Sequence, residues 1–161
     1  MRRYLLLAIL LCCVLLFVSC SGDTAPTSDG IMTAVTDDKG AVTGYERRYH
    51  NADGLLSRLD VYDADKVYLN YSLYEYDDEG RLSTETYYGA DGIALSRDVY
   101  TYSEDGKLYE KAHETPSGEA KVERYDADGE VVEKLYYDSD GKLYQHDKLT
   151  DSGWVSTPSE I

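Results

Sequence analysis

Short polar segments interrupt the apolar and aromatic residues of this chain at regular intervals. Between these segments lie spans of mostly 8 or 10 residues that are rich in Tyr, Val, Leu and Thr. Spans of this length and composition are typical of β-strands. No segment beyond residue 30 shows a sustained helical period. The pattern therefore predicts an all-β fold.

The polar segments share a four-residue motif that ends in glycine, as in Asp77 to Gly80. Asp at the first position can accept hydrogen bonds from its own turn, and glycine adopts a positive φ without strain. The motif predicts a type I turn followed by a bulge, which is a common three-residue hairpin loop. Lys66 replaces glycine once, at an expected cost of about 1 kcal/mol. The motifs end at Gly40, Gly54, Lys66, Gly80, Gly92, Gly106, Gly118, Gly129, Gly141 and Gly153.

The spacing of these turns indicates an internal repeat. Successive intervals are 14, 12, 14, 12, 14, 12, 11, 12 and 12 residues, so two hairpins form a unit of 26 residues. Hairpins that follow one another along the chain form an antiparallel meander. We therefore predict about 9–10 strands, built from double-hairpin repeats of about 26 residues, in a twisted or curled open sheet. A half-open barrel, a spiral and a single layer remain alternatives.

The even intervals predict that equivalent residues share one face of the sheet, because side chains alternate with period two. The residue two positions after each turn is always apolar or aromatic. The single odd interval, from Gly118 to Gly129, breaks this rule. It predicts a bulge or an altered turn between Thr115 and Asp126. The predicted apolar column is Val42, Leu56, Tyr68, Leu82, Ala94, Leu108, Ala120, Val131, Leu143 and Val155.

The first nineteen residues have the pattern of an export signal. Arg2 and Arg3 precede an apolar run of about 14 residues, which is shorter than the roughly 20 residues of a membrane-spanning helix. Phe17-Val18-Ser19-Cys20 resembles the lipobox of bacterial lipoproteins. The resemblance implies that residues 1–19 are a helical signal peptide and that Cys20 is lipidated, with palmitate among its acyl chains. An ordinary secretory signal or an uncleaved anchor is the alternative.

The predicted cleavage site divides the rest of the chain into two parts. Residues 20–30 are rich in Ser, Asp, Thr, Gly and Pro and are expected to form a flexible tether. Residues 31–161 form the predicted β-hairpin domain. After cleavage the only cysteine would be Cys20, so no disulfide is expected within the fold. We expect an exported protein anchored to the cell membrane or the outer membrane of a bacterium.

The net charge limits the possible partners. The formal charge is −15 for the whole chain and becomes −17 when the signal peptide, with its two arginines, is removed. Such a chain is repelled by phosphate backbones, so nucleic acid is excluded as an expected partner.

The hairpin motif resembles the YD repeat of the RHS family of bacterial surface and toxin-carrier proteins. Tyr74-x-Tyr76-Asp77-x-x-Gly80-Arg81-Leu82 matches most fully, and the segments at 100–108, 125–131 and 137–143 match in part. In the large family members these repeats are β-hairpins that spiral into a shell around a toxin. The likeness covers residues 37–149. Short hairpin repeats of the MORN type are also similar, although their Gly-Trp signature occurs only at Gly153-Trp154.

No motif in the sequence indicates catalysis or a cofactor. His50, His113 and His146 lie far apart and are interpreted as surface residues, with His50 and His113 along one margin of the sheet. The chain lacks the usual nucleophile, phosphate-loop and zinc motifs. Three Asp-x-Asp turns could bind calcium weakly, although turn formation alone explains them. Their carboxylates are Asp63, Asp65, Asp126, Asp128, Asp138 and Asp140.

Two functions remain open from the sequence. The first is a lipid-anchored, non-catalytic binding or scaffold surface in the cell envelope, with an unknown protein or glycan as its partner. The seventeen tyrosines fit this role because a row of tyrosines can stack on sugars or contact a protein, although strand packing also explains them. The second is an immunity or antitoxin-like protein that binds a partner toxin. The sequence does not decide between them.

Overall fold

Residues 30–158 of the computed structural model form one sheet of eleven strands. The strands occur in the sheet in chain order, and each is antiparallel to its neighbours, so the predicted all-β meander is confirmed. The predicted signal peptide, Cys20 and all of the tether except Gly30 lie outside the described residues. The strands are β1 Met32–Thr36, β2 Val42–His50, β3 Leu56–Asp63, β4 Tyr68–Tyr76, β5 Leu82–Gly89, β6 Ala94–Tyr102, β7 Leu108–Glu114, β8 Ala120–Tyr125, β9 Val131–Tyr137, β10 Leu143–Thr150 and β11 Gly153–Pro158.

The sheet has one or two strands more than the predicted 9–10. Ten turns connect eleven strands when one strand lies before the first turn and another lies after the last turn. Here β1 precedes the first turn and β11 follows the last. Both are short, and β11 ends at Pro158, which suits an edge strand because proline has no N–H to donate. Among residues 30–158 there is no helix long and apolar enough to cross a membrane.

The sheet is a single layer without a conventional core. Within the described residues, contacts between strands join only strands that are adjacent in the chain. Leu135 is the only large apolar side chain there that is buried, while Asp60, Ser72 and Thr84 are buried polar residues near the middle of their strands. Cross-strand pairs therefore stabilise this sheet, at roughly 0.2–1 kcal/mol each, in place of packing between layers.

Most hairpins contain an extra residue three positions after the turn. In the β4–β5 hairpin, for example, Tyr76 pairs with Leu82 but Glu75 pairs with Thr84, which leaves Ser83 as a bulge. Eight of the ten hairpins have such a bulge. The bulged residues are Thr43, Ser57, Leu69, Ser83, Leu95, Tyr109, Val132 and Tyr144.

The bulges show that the prediction of one apolar column was wrong. A bulge places two successive residues on the same side of the sheet, so an even interval with one bulge moves the next equivalent residue to the opposite face. Tyr68 therefore lies on one face, and Leu82 lies on the other. We name the two faces after neighbouring strand positions on β4. The Tyr71 face includes Tyr62, Tyr68, Tyr71 and Tyr88, and the Tyr74 face includes Ser72, Tyr74, Tyr76 and Leu82.

The prediction of an irregularity after Gly118 was also wrong. The β7–β8 hairpin pairs without a register shift, and its turn has the same hydrogen bonds as the others, from Gly118 N to Thr115 O and from Thr115 N to Glu119 O. An odd interval without a bulge moves the next equivalent residue to the opposite face of the sheet. An even interval with a bulge has the same effect. The interval of 11 residues thus preserves the alternation that it was expected to break.

The turns have the backbone geometry that their sequences indicate. Gly80 has a φ of 76°, and its N–H donates to Asp77 O over 2.9 Å. Lys66, at the position that glycine occupies elsewhere, has a φ of 63° and is the only non-glycine residue with a positive φ in the described part of the chain. We call the turns after β1, β3, β5, β7 and β9 the odd rim, and those after β2, β4, β6, β8 and β10 the even rim.

The hairpins of the even rim are linked to one another by side chains. The Tyr76 hydroxyl donates to Leu56 O over 2.8 Å, and the Tyr102 hydroxyl donates to Leu82 O over the same distance. The Arg81 guanidinium lies 4.7 Å from the centre of the Tyr102 ring, and Lys107 Nζ donates to Ala127 O over 2.7 Å. Each of these contacts spans two neighbouring hairpins.

The acidic charge of the protein is concentrated at the rims. The strand residues of β1–β11 have a formal net charge of −2, whereas the residues between the strands have −12. Within the strands, cations and carboxylates form pairs such as Lys111 with Asp98 and Arg124 with Glu110 and Glu133. The faces are therefore nearly neutral, and the two rims are acidic.

Candidate functional site

Among residues 30–158, the largest group of contacting aromatic side chains lies on the Tyr71 face near the odd rim. Tyr62 and Tyr68 form the last pair before the β3–β4 turn. Tyr71 on β4 pairs with Tyr88 on β5. The register of three strands thus brings together four tyrosines from separate parts of the sequence. We call these four residues the tyrosine cluster.

The rings of the tyrosine cluster contact one another in a row. Tyr62 and Tyr68 are tilted, with 5.3 Å between ring centres. Tyr71 and Tyr88 are stacked at 4.6 Å with only 4° between their planes. Aromatic pairs at these distances stabilise their arrangement by about 0.5–1.5 kcal/mol beyond burial. The cluster is therefore ordered before any partner binds.

An ion pair on β3 holds the row in place. Arg58 Nε donates to Asp60 Oδ1 over 2.6 Å, and the Tyr49 hydroxyl donates to Asp60 Oδ2 over 3.3 Å. Asp60 is 4% exposed, so this carboxylate needs such partners. The guanidinium of Arg58 also lies 4.1 Å from the centre of the Tyr71 ring and donates to the Tyr68 hydroxyl over 3.0 Å.

The environment keeps the phenols of Tyr62, Tyr68 and Tyr88 protonated and Arg58 charged. Burial, followed by the negative charge of Asp60, raises the pKa of Tyr62 and of Tyr68 above the ordinary phenol value. Burial and the neighbouring Tyr71 raise the pKa of Tyr88 in the same way. Burial alone would lower the pKa of Arg58, but the hydrogen bond and charge of Asp60 outweigh it and raise that pKa. The site offers neutral hydroxyls and one guanidinium at every physiological pH.

The geometry favours hydrogen bonding over stacking at the middle of the cluster. Arg58 and Tyr88 come from the two strands that flank β4, so they cover opposite faces of the Tyr71 ring. A sugar cannot stack on a ring whose two faces are covered. Tyr71 instead supports its neighbours, and a partner would meet phenol hydroxyls, ring edges and the outer face of Tyr88.

The carboxylates that were predicted as a weak calcium site lie on both rims. Asp63 Oδ1 accepts hydrogen bonds from the N–H groups of Asp65 and Val67, which is ordinary turn chemistry. The first aspartates of the two other motifs accept equivalent bonds within 126–130 and 138–142. Among residues 30–158, no group of three or more His, Cys, Asp or Glu is arranged to hold a metal ion. Weak calcium binding stays a prediction.

The structure separates the histidines that were expected to share one margin. His50 precedes an even-rim turn, and His113 precedes an odd-rim turn, so that interpretation was wrong. His113 Nδ1 lies 2.7 Å from Asp98 Oδ1, and His146 Nε2 lies 2.7 Å from Glu133 Oε1. These pairs occupy different strands and do not converge on a common site.

The tyrosine cluster was missed because tyrosine occurs throughout the chain. In the sequence, the cluster consists of the two tyrosines that flank the β3–β4 turn, Tyr62 and Tyr68, together with Tyr71 and Tyr88. Combining these positions requires the bulges, because Tyr68 and Tyr71 share a face only when Leu69 is the extra residue.

Comparisons with known proteins add little to this description. No family model and no curated protein matches the chain. Among solved structures, the Photorhabdus luminescens Tc holotoxin pore matches 79% of this chain and 9% of its own, with 13% identity and a TM-score of 0.33. A GtfA/B complex bound to UDP and GlcNAc matches 84% of this chain and 29% of its own, with 12% identity and a TM-score of 0.25. The chain thus spans less than a third of either structure, and these scores support no conclusion about family or function.

Proposed function

We propose that this protein is a lipid-anchored repeat protein of the bacterial cell envelope whose sheet acts as a non-catalytic binding or scaffold surface. The observation that supports this most directly is the single layer with two open faces. A sheet of this kind exposes more ordered surface per residue than a packed domain does. It suits contact with a large partner, whereas catalysis favours a concave, water-excluding site.

The tyrosine cluster is the part of the surface that we propose as the binding site. Tyrosine and arginine are the residues that contribute most often to binding free energy at interfaces. Here their ring contacts and the Arg58–Asp60 pair fix the side chains in advance, so little conformational entropy is lost on binding. The near-neutral face suits an uncharged glycan or a polar protein surface as partner.

We also propose that the hairpins are of the YD type and that Cys20 is lipidated. The first proposal is supported by Tyr-x-Tyr-Asp-x-x-Gly at residues 74–80, where the two tyrosines lie on one arm and Gly80 has a positive φ. The second is supported by the apolar run that ends at Phe17-Val18-Ser19-Cys20. In this arrangement the tether holds the sheet away from the membrane surface.

The proposal is tested by affinity capture of partners from the native cell envelope. The lipidated protein is compared with Tyr68→Ser/Tyr88→Ser and with the control Tyr144→Ser, an exposed tyrosine of the Tyr74 face. We expect one reproducible protein or glycan partner, at least tenfold depleted by the double change and retained by the control. A third arm, Cys20→Ala, should shift the protein out of the membrane fraction.

Four results would count against the proposal. Equal recovery with the double variant would place binding elsewhere, and a Cys20→Ala protein that stays in the membrane fraction would exclude lipidation as the anchor. A hydrolytic activity lost on changing one carboxylate would contradict the non-catalytic role. Stoichiometric capture of a single toxin would favour the immunity alternative.

A further inference from the structure

Arg47 on β2 differs from the other arginines of the sheet because it has no ion pair. Within residues 30–158, no carboxylate lies at ion-pair distance from Arg47, and its Nε atom is buried without a hydrogen-bond partner. A buried N–H group without an acceptor is rare, because it has lost water and gained no bond in exchange. The arginines in the same part of the chain that do form ion pairs are Arg48, Arg58, Arg81, Arg97 and Arg124.

The carboxylate opposite Arg47 is already bound by another arginine. Arg47 pairs with Asp60 in the register of β2 and β3. Asp60 forms its ion pair with Arg58 over 2.6 Å, and it also accepts the hydrogen bond of the Tyr49 hydroxyl. Two guanidinium groups thus face a single buried carboxylate, and only one of them is paired with it.

This part of the Tyr71 face carries a net positive charge beside the tyrosine cluster. The charged strand residues of β1–β3 on this face are Arg47, Arg58 and Asp60, which sum to +1, although the whole chain has a charge of −15. The hydrogen bond and charge of Tyr49, followed by the charge of Tyr62, raise the pKa of Arg47. Because Tyr62 belongs to the tyrosine cluster, the charged guanidinium lies next to the proposed binding site.

We propose that Arg47 binds an aspartate or glutamate carboxylate of the protein partner that contacts the tyrosine cluster. This inference rests on the function proposed above and names one chemical group of its partner. A guanidinium binds a planar carboxylate through two parallel N–H donors, and a carboxylate supplies the acceptor that Nε lacks. Arg47 as a whole is only half-buried, so its side chain can adjust to the arriving group. The bound carboxylate also neutralises the local charge of +1.

The acidity of the rest of the protein favours a partner with a single, isolated carboxylate. An acidic polysaccharide repeats its charge along the chain, and the rims, with a net charge of −12, repel such a polymer. A protein surface can place one carboxylate among neutral or basic side chains. An uncharged glycan offers no ionised acceptor to Arg47. The charges therefore favour a protein partner over either kind of glycan.

The test compares two labelled peptides that differ in one group, acetyl-Ser-Tyr-Glu-Tyr-Ser-amide and the same peptide with glutamine in place of glutamate. Binding to the full-length lipidated protein in neutral detergent is measured by fluorescence anisotropy. We expect the glutamate peptide to bind about tenfold more tightly, because only its side chain is a charged acceptor. The tyrosines of both peptides are present to contact the tyrosine cluster.

Changes at two neighbouring arginines locate the binding. Arg47→Gln should abolish the preference for glutamate, and Arg47→Lys should keep part of it, because lysine retains the charge but not the paired donors. The control is Arg48→Gln, which makes the same change in net charge one position away on the opposite face. We expect this control to leave the preference within about twofold of its original value, because Arg48 is an exposed residue that pairs with Glu46.

Nuclear magnetic resonance gives a direct readout of the Arg47 Nε–H group. Its signal is assigned by its loss in Arg47→Gln, and it should shift when the glutamate peptide is added but not when the glutamine peptide is added. Equal affinity for the two peptides, or a preference that survives in Arg47→Gln, would overturn the proposal. An equal loss of preference in Arg48→Gln would also overturn it, because general charge attraction would then explain the binding. Circular dichroism of each variant excludes unfolding as the cause.

Capture from the native cell envelope separates this proposal from the function on which it rests. We expect Arg47→Gln to deplete the captured protein partner about tenfold and Arg48→Gln to retain it. Loss with Tyr68→Ser/Tyr88→Ser but not with Arg47→Gln would overturn the role of Arg47 and leave the tyrosine cluster as the binding site. Retention in the double tyrosine variant would instead contradict the function proposed above. Capture of a glycan without a protein would overturn the role of Arg47.

Discussion

The odd and even rims have the same turn geometry but different side-chain contacts. At the even rim, tyrosine hydroxyls and the side chains of Arg81 and Lys107 join the four hairpins from β2 to β9. At the odd rim, the side chains of the tyrosine cluster lie together on the Tyr71 face, and the stacked rings of Tyr71 and Tyr88 also join two hairpins. The turn fixes the backbone at both rims, so the residues beside it are free to differ. The contacts of the even rim serve cohesion, whereas the odd rim also carries the proposed binding site.

Two neighbouring turns of the odd rim also touch. A Cβ atom at Gly118, whose φ is 90°, would lie 2.9 Å from the backbone oxygen of Ser139. At Gly129 on the even rim, the φ is 85° and no atom lies within 4 Å. Substitution of Gly118 and of Gly129 is expected to give the largest difference in stability between the two rims.

We expect Gly118→Ala to lower the free energy of unfolding by about 2–3 kcal/mol and Gly129→Ala by about 1–2 kcal/mol. Both changes force alanine into the left-handed region, but only the first also displaces a neighbouring backbone. Urea unfolding followed by circular dichroism measures both values. Equal losses would show that the contact with Ser139 does not contribute to stability.

A smaller effect tests the links of the even rim. Tyr102→Phe removes the hydroxyl that donates to Leu82 O, and we expect a loss of about 1 kcal/mol in the free energy of unfolding. Tyr88→Phe removes a hydroxyl of the odd rim but keeps the stacked ring, so its expected effect is within about 0.5 kcal/mol. A larger loss in Tyr88→Phe than in Tyr102→Phe would reverse the assignment of cohesion to the even rim.

The smallest expected effect is a pH dependence at one even-rim turn. Burial opposes ionisation of Asp77, but hydrogen bonds from the Arg81 backbone and guanidinium outweigh it and hold the pKa below its ordinary value of 3.8. A lowered carboxyl pKa adds stability above the unfolded-state value, and this stability is lost as pH falls through the folded-state value. Acid titration below about pH 4 should therefore affect Asp77→Asn less than the unchanged protein. Equal acid sensitivity of Asp77→Asn and the unchanged protein would contradict this assignment.

The turns and strands could be predicted from the sequence because each is specified locally. Nine of the ten turns end in glycine and five begin with Asp, so the residues of each turn specify its hairpin. The faces could not be predicted in this way, because a bulge changes which residues lie together. The bulged positions include Thr43, Leu69 and Tyr109, which have no side-chain chemistry in common. The only trace in the sequence is the odd interval at β8, where the bulge is missing.

The same reason explains why the tyrosine cluster was not foreseen. The tyrosine cluster requires Tyr68 and Tyr71 to share a face, although they are three positions apart. The cluster is a consequence of strand register, and register in this protein depends on the residue inserted in eight of the ten hairpins.

The contacts between neighbouring strands also determine how the chain reaches its fold. Paired residues in the described sheet are at most 19 positions apart, as in Gly44 with Asp63. Closing such short loops costs little entropy, so the usual slowness of all-β folding does not apply. We expect folding to begin at any hairpin and to extend one strand at a time, as in other repeat proteins. The first hairpins can therefore form while the rest of the chain is still being synthesised.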